Sequence, residues 1–138
     1  MENNLFNLES YNDEDCSCGS LIFLQKGSGI PFEMKRIFYI YDVDVKQIRG
    51  EHAHYNSNQL LICIHGSCDI TLDNGTNKTT YRLNSPTKAL LQKPFIWGKM
   101  TNFTKGSILL CISDSLYDTD DYIRDYEKFL KLIDENKD

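Results

Sequence analysis

Apolar residues along this chain fall into short runs separated by turn residues, the pattern of a small antiparallel barrel or sandwich. The runs are 4–8, 20–26, 35–43, 50–55, 59–65, 68–73, 79–83, 88–93, 97–103 and 107–114. Asn74-Gly75 between two of them predicts a hairpin, because both residues accept positive φ. Gly66 marks another turn. Pro31, Pro86 and Pro94 stand at segment edges, where a missing N–H does least harm. The pattern changes near the C-terminus. Ile123, Tyr126, Phe129, Leu130 and Ile133 recur at helical spacing, which predicts an amphipathic helix over 118–134 capped by Asp118 or Thr119. There is no internal repeat, and 10–19 reads as a polar loop. The expectation is one all-β domain, 1–138, with a C-terminal helix over part of the barrel.

Composition narrows the classes. Hydrophobic residues make up 41% and charged residues 25%, an ordinary globular balance. No apolar run approaches the roughly 20 residues of a membrane helix. The opening "MENNLFNLES" has no basic n-region and no long apolar core, so a cytoplasmic protein without a signal peptide is expected. A net charge of −5 with no basic tail argues against nucleic acid as the partner. Lys35, Arg36, Lys46 and Arg49 nevertheless gather around one segment; solvated strand ends are the plainer reading, and a patch able to receive a small anion is the other. Of the five cysteines, Cys63, Cys68 and Cys111 lie in strand-like runs and read as reduced, buried thiols. Cys16 and Cys18 lack metal-site spacing and read as two thiols on a loop.

That segment is "RGEHAHYNSNQ", 49–59. On a strand His52 and His54 share one face and Ala53 takes the other, with the imidazoles roughly 7 Å apart along the chain at two strand rises. The order H-x-H, four residues, Gln59, six residues, Gly66 resembles the first motif of the cupin superfamily, where a glutamate stands in place of Gln59. The second motif, which usually adds a histidine, matches "PFIWGKMTNF" at 94–103 and contains none. Two imidazoles and a neutral amide make a poor metal set, so no metal and no other cofactor is expected. Paired imidazoles are natural proton carriers near neutral pH; two hydrogen-bonded core histidines are the alternative.

The resemblance extends further. "IPFEMKRIFYIYDV", the histidine segment through "CDITLDNG", "LNSPTKALLQKPFIW" and "DYIRDYEKF" follow one another as in the sugar-nucleotide 3,4-ketoisomerases of the cupin superfamily. The resemblance implies a double-stranded β-helix, or jelly-roll, that forms a homodimer by exchanging N-terminal strands within 1–30. It implies a metal-independent enzyme that moves the ketone of a dTDP-linked 4-keto-6-deoxyhexose, such as dTDP-4-keto-6-deoxyglucose, from C4 to C3. The products of such enzymes feed deoxyamino sugars of lipopolysaccharide-type surface glycans or of antibiotics. His52, His54 and Tyr39 are the implied catalytic residues. The reaction needs a base at carbon and a second group between O3 and O4, and His54 is placed at the carbon with His52 at the oxygens. Arg49, Arg36 and Arg82 are candidates for the pyrophosphate, Gln59 is a further substrate-binding candidate, and Trp97 or Tyr41 is a candidate to stack on thymine or pack against the sugar, with plain core packing the favoured reading of either. Members often carry a histidine after the tryptophan of the second motif; here that residue is Gly98. A related 4-keto-sugar epimerase and a non-catalytic sugar-nucleotide-binding cupin are the competing readings.

Overall fold

The computed structural model describes residues 4–136. The outer ends of the expected 1–138 domain lie outside the described residues. In chain order the strands are β1 (Leu5–Asn7), β2 (Tyr11–Asn12), β3 (Ser20–Leu21), β4 (Gln25–Lys26), β5 (Gly29–Ile30), β6 (Arg36–Tyr41), β7 (Arg49–His54), β8 (Gln59–His65), β9 (Cys68–Asp73), β10 (Lys78–Leu83), β11 (Lys88–Gln92), β12 (Trp97–Thr101), β13 (Ile108–Ser113) and β14 (Tyr122–Ile123), followed by helix α1 (Tyr126–Glu135). Two five-stranded antiparallel sheets, β1-β11-β8-β13-β6 and β10-β9-β12-β7-β14, face each other as a jelly-roll. The all-β reading with one C-terminal helix is correct.

Three clusters hold the layers together. Leu61, Cys63, Ile70, Leu72, Leu83, Leu90, Met100, Leu109 and Cys111 fill the space between the sheets. On β8 the alternate residues Leu60 and Ile62 point the other way, against Leu8, Ile30, Ala89 and Ile112. Both faces of β8 are covered, which explains why "QLLIC" is apolar without a period of two. Each of these buried leucines contributes roughly 1.5–3 kcal/mol. Ala53, Trp97 and Ile123 form the third cluster with Phe129 of α1.

The expected hairpin at Asn74-Gly75 forms, and two other local expectations change. In this β9–β10 hairpin Asp73 pairs with Lys78, so its loop spans four residues. Asn74 Oδ1 accepts from the N–H groups of Thr76 and Asn77, closing an Asx turn with Gly75 at φ 93°. The helix starts later than its periodicity suggests. Asp118 caps only a 3₁₀ turn, Thr119–Asp121. Tyr122 and Ile123 then pair with β7, and Asp125 caps α1 by accepting from Glu127 N and Lys128 N. Strand pairing wins at 122–123 because Ile123 can bury against Ala53 there. Cys16 and Cys18, expected as two thiols, are joined by a disulfide on the exposed loop, whereas Cys63, Cys68 and Cys111 are free and buried as expected.

Among the described residues no helix is long and apolar enough to cross a membrane, which says nothing of a membrane β-barrel. β1 pairs with β11 of its own chain, Leu5 opposite Leu90.

A polar contact at its first turn helps to fasten helix α1. The Tyr126 hydroxyl donates to Asp73 Oδ2 at 2.6 Å, and Asp73 is buried. Tyr126→Phe should cost about 1–3 kcal/mol, because it strands a buried carboxylate oxygen. A urea-denaturation midpoint equal to wild type would show that the contact does not hold the helix.

Candidate active site

The site begins with an irregularity in β7. Arg49 and His52 are three residues apart, so a regular strand would send them to opposite faces. Here Gly98 of β12 lies opposite His52, Lys99 opposite Gly50 and Met100 opposite Arg49. One step along β12 thus matches two along β7, and Glu51 is the extra residue of a bulge. The bulge resets the phase, and Arg49, His52 and His54 all face the space between the sheets. It also sets the local backbone. Gly50 and Glu51 have φ of 82° and 57°. A Cβ on Gly50 would meet Gly98 O at 3.1 Å. Glycine is needed at position 50, and Glu51 carries strain of about 1 kcal/mol or more.

The two imidazoles differ in environment. His52 is half-buried, and its Nδ1–H donates to Gly50 O at 3.1 Å. In the neutral ring Nε2 is then the basic nitrogen. His54 is fully buried. Gln59 Nε2–H donates to His54 Nε2 at 3.4 Å, and His54 Nδ1 has no hydrogen-bond partner among the described residues. The rings meet edge-on with centroids 4.9 Å apart. Tyr122, brought alongside by β14, packs against both, 5.0 Å from His52 and 4.9 Å from His54. The Arg124 guanidinium lies 4.4 Å from the centre of the Tyr122 ring. A cavity of about 320 Å³ opens beside this group, lined by Arg49, His52, Gln59, Met100, Tyr122 and Arg124 among others. A wider hollow of about 600 Å³ under the N-terminal segment has neither imidazole nor guanidinium in its walls. Chemistry rather than volume therefore identifies the site.

Electrostatics keep both rings neutral. Burial pushes His52 below the usual imidazole range; the Gly50 carbonyl opposes this, and the Arg124 and Arg49 charges add to it. His54 is pushed down to about 4, first by burial and then by His52, with the Arg36 and Arg124 charges acting the same way. The Asp121 carboxylate opposes these effects. Asp121 is itself held by Asn56 N–H at 2.8 Å and by the Ser57 hydroxyl.

The sequence candidates separate in space. Arg49, His52 and Gln59 line the cavity with His54 behind them. Arg36 is packed between the Phe38 and Tyr117 rings, 5.2 and 5.6 Å from their centres, and is not part of the lining. Tyr39 reaches the cavity rim, but it alternates with the inward-facing Phe38 and Ile40, is 63% exposed and packs beside Tyr41. Arg82 is not brought to the site. It stands on β10, with β9 and β12 between it and β7, and bonds Asp69 and Ser67. Trp97 is also absent, because it faces the opposite side of β12 and packs on Tyr126 and Phe129. Tyr122 and Arg124 were missed. Their helical spacing with the residues that follow placed them in a helix rather than on a strand beside the histidines. Among the described residues no three His, Cys, Asp or Glu side chains form a metal-binding group.

A two-sheet jelly-roll with paired histidines at an inward cavity is the architecture of a cupin. The family model described as FdtA, WxcM-like, C-terminal, matches residues 1–134. The TDP-4-oxo-6-deoxy-α-D-glucose 3,4-oxoisomerase of Aneurinibacillus thermoaerophilus is 37% identical over 133 residues, 96% of this chain and 94% of that one. The crystal structure of WlaRA, a TDP-fucose-3,4-ketoisomerase of Campylobacter jejuni, superposes with a TM-score of 0.91 at 39% identity, covering 99% of this chain and 98% of the other. A histidine-to-asparagine mutant of the 3,4-ketoisomerase QdtA from Thermoanaerobacterium thermosaccharolyticum, in complex with TDP-4-keto-6-deoxyglucose, superposes with a TM-score of 0.90 at 33% identity, covering 99% and 98%. This chain belongs to the FdtA family and is an isomerase of the 3,4-ketoisomerase type.

Burial of His54 has a pH signature. Its native pKa, about 4, lies below the unfolded value of 6.5, so the unfolded chain binds the extra proton first. Stability is full above pH 6.5 and falls as the pH drops toward 4, by about 3 kcal/mol from this residue. Urea midpoints between pH 7.5 and 4.5 should follow this trend, and His54→Asn should flatten it. An equally steep fall in the variant would place its origin elsewhere.

Proposed function

We propose that this protein converts dTDP-4-keto-6-deoxyglucose into a dTDP-3-keto-6-deoxyhexose without a metal, through an enediolate. The observation that carries this reading is the half-buried His52, with Nε2 as its basic nitrogen, in a cavity that also presents Arg49 and Arg124. The hydrogen on C3 is acidified by the C4 ketone. His52 removes it as a proton, and the C–H electron pair becomes the C3=C4 bond of an enediolate with its charge on O4. Return of the proton to C4, with passage of the O3 proton to O4, leaves the ketone at C3. No atom is gained or lost. The cationic rim stabilises both the developing oxyanion and the pyrophosphate.

The exposure of the two rings supports the order opposite to the one favoured from the sequence. His52 meets the cavity and takes the carbon-bound proton; His54, enclosed behind it, fixes the pair. Tyr122 touches both rings and lines the cavity, so it serves the oxygen side. The proposed working form is a homodimer. Its support is the outer face of edge strand β6, where Ile37, Tyr39 and Tyr41 are each more than half exposed. Exchange of the N-terminal strands within 1–30 is part of the same proposal.

The direct test is to incubate the protein with dTDP-4-keto-6-deoxyglucose and follow the sugar by NMR, with and without EDTA. The expected result is a 3-keto product formed at the same rate in both. A bound but unchanged sugar would favour the non-catalytic reading, and an epimerised 4-keto sugar the epimerase reading. Loss of turnover in EDTA, restored by one divalent ion, would overturn metal independence.

A further inference from the structure

The position after Trp97 is where this chain departs from the resemblance, and the structure shows what fills the space. Gly98 has no left-handed φ, so its backbone would accept a side chain. What excludes one is Gln92. An ideal Cβ on Gly98 would lie 2.6 Å from Gln92 Nε2, 2.9 Å from Oε1 and 3.0 Å from Cδ. Gln92 comes from the opposite sheet, is 2% exposed, and is steadied by donating from Nε2 to Ile96 O at 3.0 Å. Its carboxamide therefore spans the two sheets and rests in the slot that a residue-98 side chain would use.

That slot adjoins the chemistry. Within its sheet Gly98 is directly opposite His52 on one side and Leu72 on the other. Directly opposite side chains on one sheet face are near neighbours, with Cβ atoms about 5 Å apart. On its own sheet Gln92 is the register partner of Gln59, which bonds His54 and lines the cavity. The amide is thus beside the base on one sheet and beside the support of the second imidazole on the other. A buried carboxamide is costly to enclose unless its polar groups are used, and this one occupies the place of a missing side chain.

We propose that Gln92 is a positioning residue of this active site, its carboxamide replacing from β11 the side chain that Gly98 lacks on β12, so that positions 92 and 98 act as one coupled pair. The proposal rests on the ketoisomerase reading for its kinetic consequences but not for the shared slot. Gln92 does not take or give the proton. It fixes the wall against which His52 and Gln59 are aligned.

The test uses the full chain and four variants. Gln92→Met keeps the volume and removes the amide; its melting temperature should stay close to wild type and KM within about twofold, while kcat falls about tenfold, the scale of a small misalignment of a catalytic group. Gly98→Asn alone should melt lower than wild type, because its Cβ meets the Gln92 amide. Gln92→Ala/Gly98→Asn, which supplies the carboxamide from β12, should melt above either Gly98→Asn or Gln92→Ala and recover kcat to within about threefold of wild type. Wild-type kcat in Gln92→Met, or effects at 92 and 98 that simply sum in the double variant, would overturn the proposal. If the wild-type chain does not isomerise TDP-4-keto-6-deoxyglucose, the functional reading fails instead, and the melting cycle alone decides whether the two positions share one slot.

Discussion

The extra residue at Glu51 is the constraint on which the site depends. Without it, β7 could direct either Arg49 or the histidines inward, but not both. With it, a guanidinium and two imidazoles share one cavity. The bulge requires close approach of two backbones, Gly50 against Gly98 O, and a left-handed conformation at Glu51. The surrounding pairings hold that strain. β12 clamps one edge of β7 and β14 the other, and α1, docked by Tyr126 on Asp73, covers the outer side through Ala53, Trp97 and Phe129.

The same enclosure sets the protonation state. Burial and nearby guanidiniums act together to discharge the imidazoles. A neutral imidazole is a competent base at neutral pH, whereas an imidazolium is not. Arg49 and Arg124 therefore help to hold His52 in its basic form, and under the proposed function they also provide charge for an anionic substrate. Folding stability decreases in acid as a consequence, since a buried neutral ring resists the proton that the unfolded chain accepts.

How far the site could be read from the sequence depended on whether its residues were local. His52, His54, Arg49 and Gln59 sit within one short segment, and strand alternation was enough to pair the histidines. The phase of Arg49 was not legible, because no pattern marks Glu51 as an extra residue. Tyr122 and Arg124 join the site only through the pairing of β14 with β7, across a separation that periodicity does not encode. Their apolar neighbours kept a helical spacing, which extended the predicted helix over them. Arg82 was chosen for its chemistry, and the strand order sets it away from this cavity, while Trp97 packs in the core, the reading favoured for it from the sequence. The Gly98 departure was visible, but its partner Gln92 was not, since the two meet only when the sheets face each other.

Under the proposed function His52, and not the enclosed His54, exchanges the proton at carbon. The most direct measurement is deuterium entry at C3 of TDP-4-keto-6-deoxyglucose in D₂O, followed by NMR with His52→Asn and His54→Asn. Asparagine keeps a hydrogen-bonding group but accepts no proton at this pH. The account predicts that exchange at C3 is abolished in His52→Asn, by a factor of about 10² or more, and persists in His54→Asn even where net isomerisation is slowed. Persistent exchange in His52→Asn with loss in His54→Asn would contradict it.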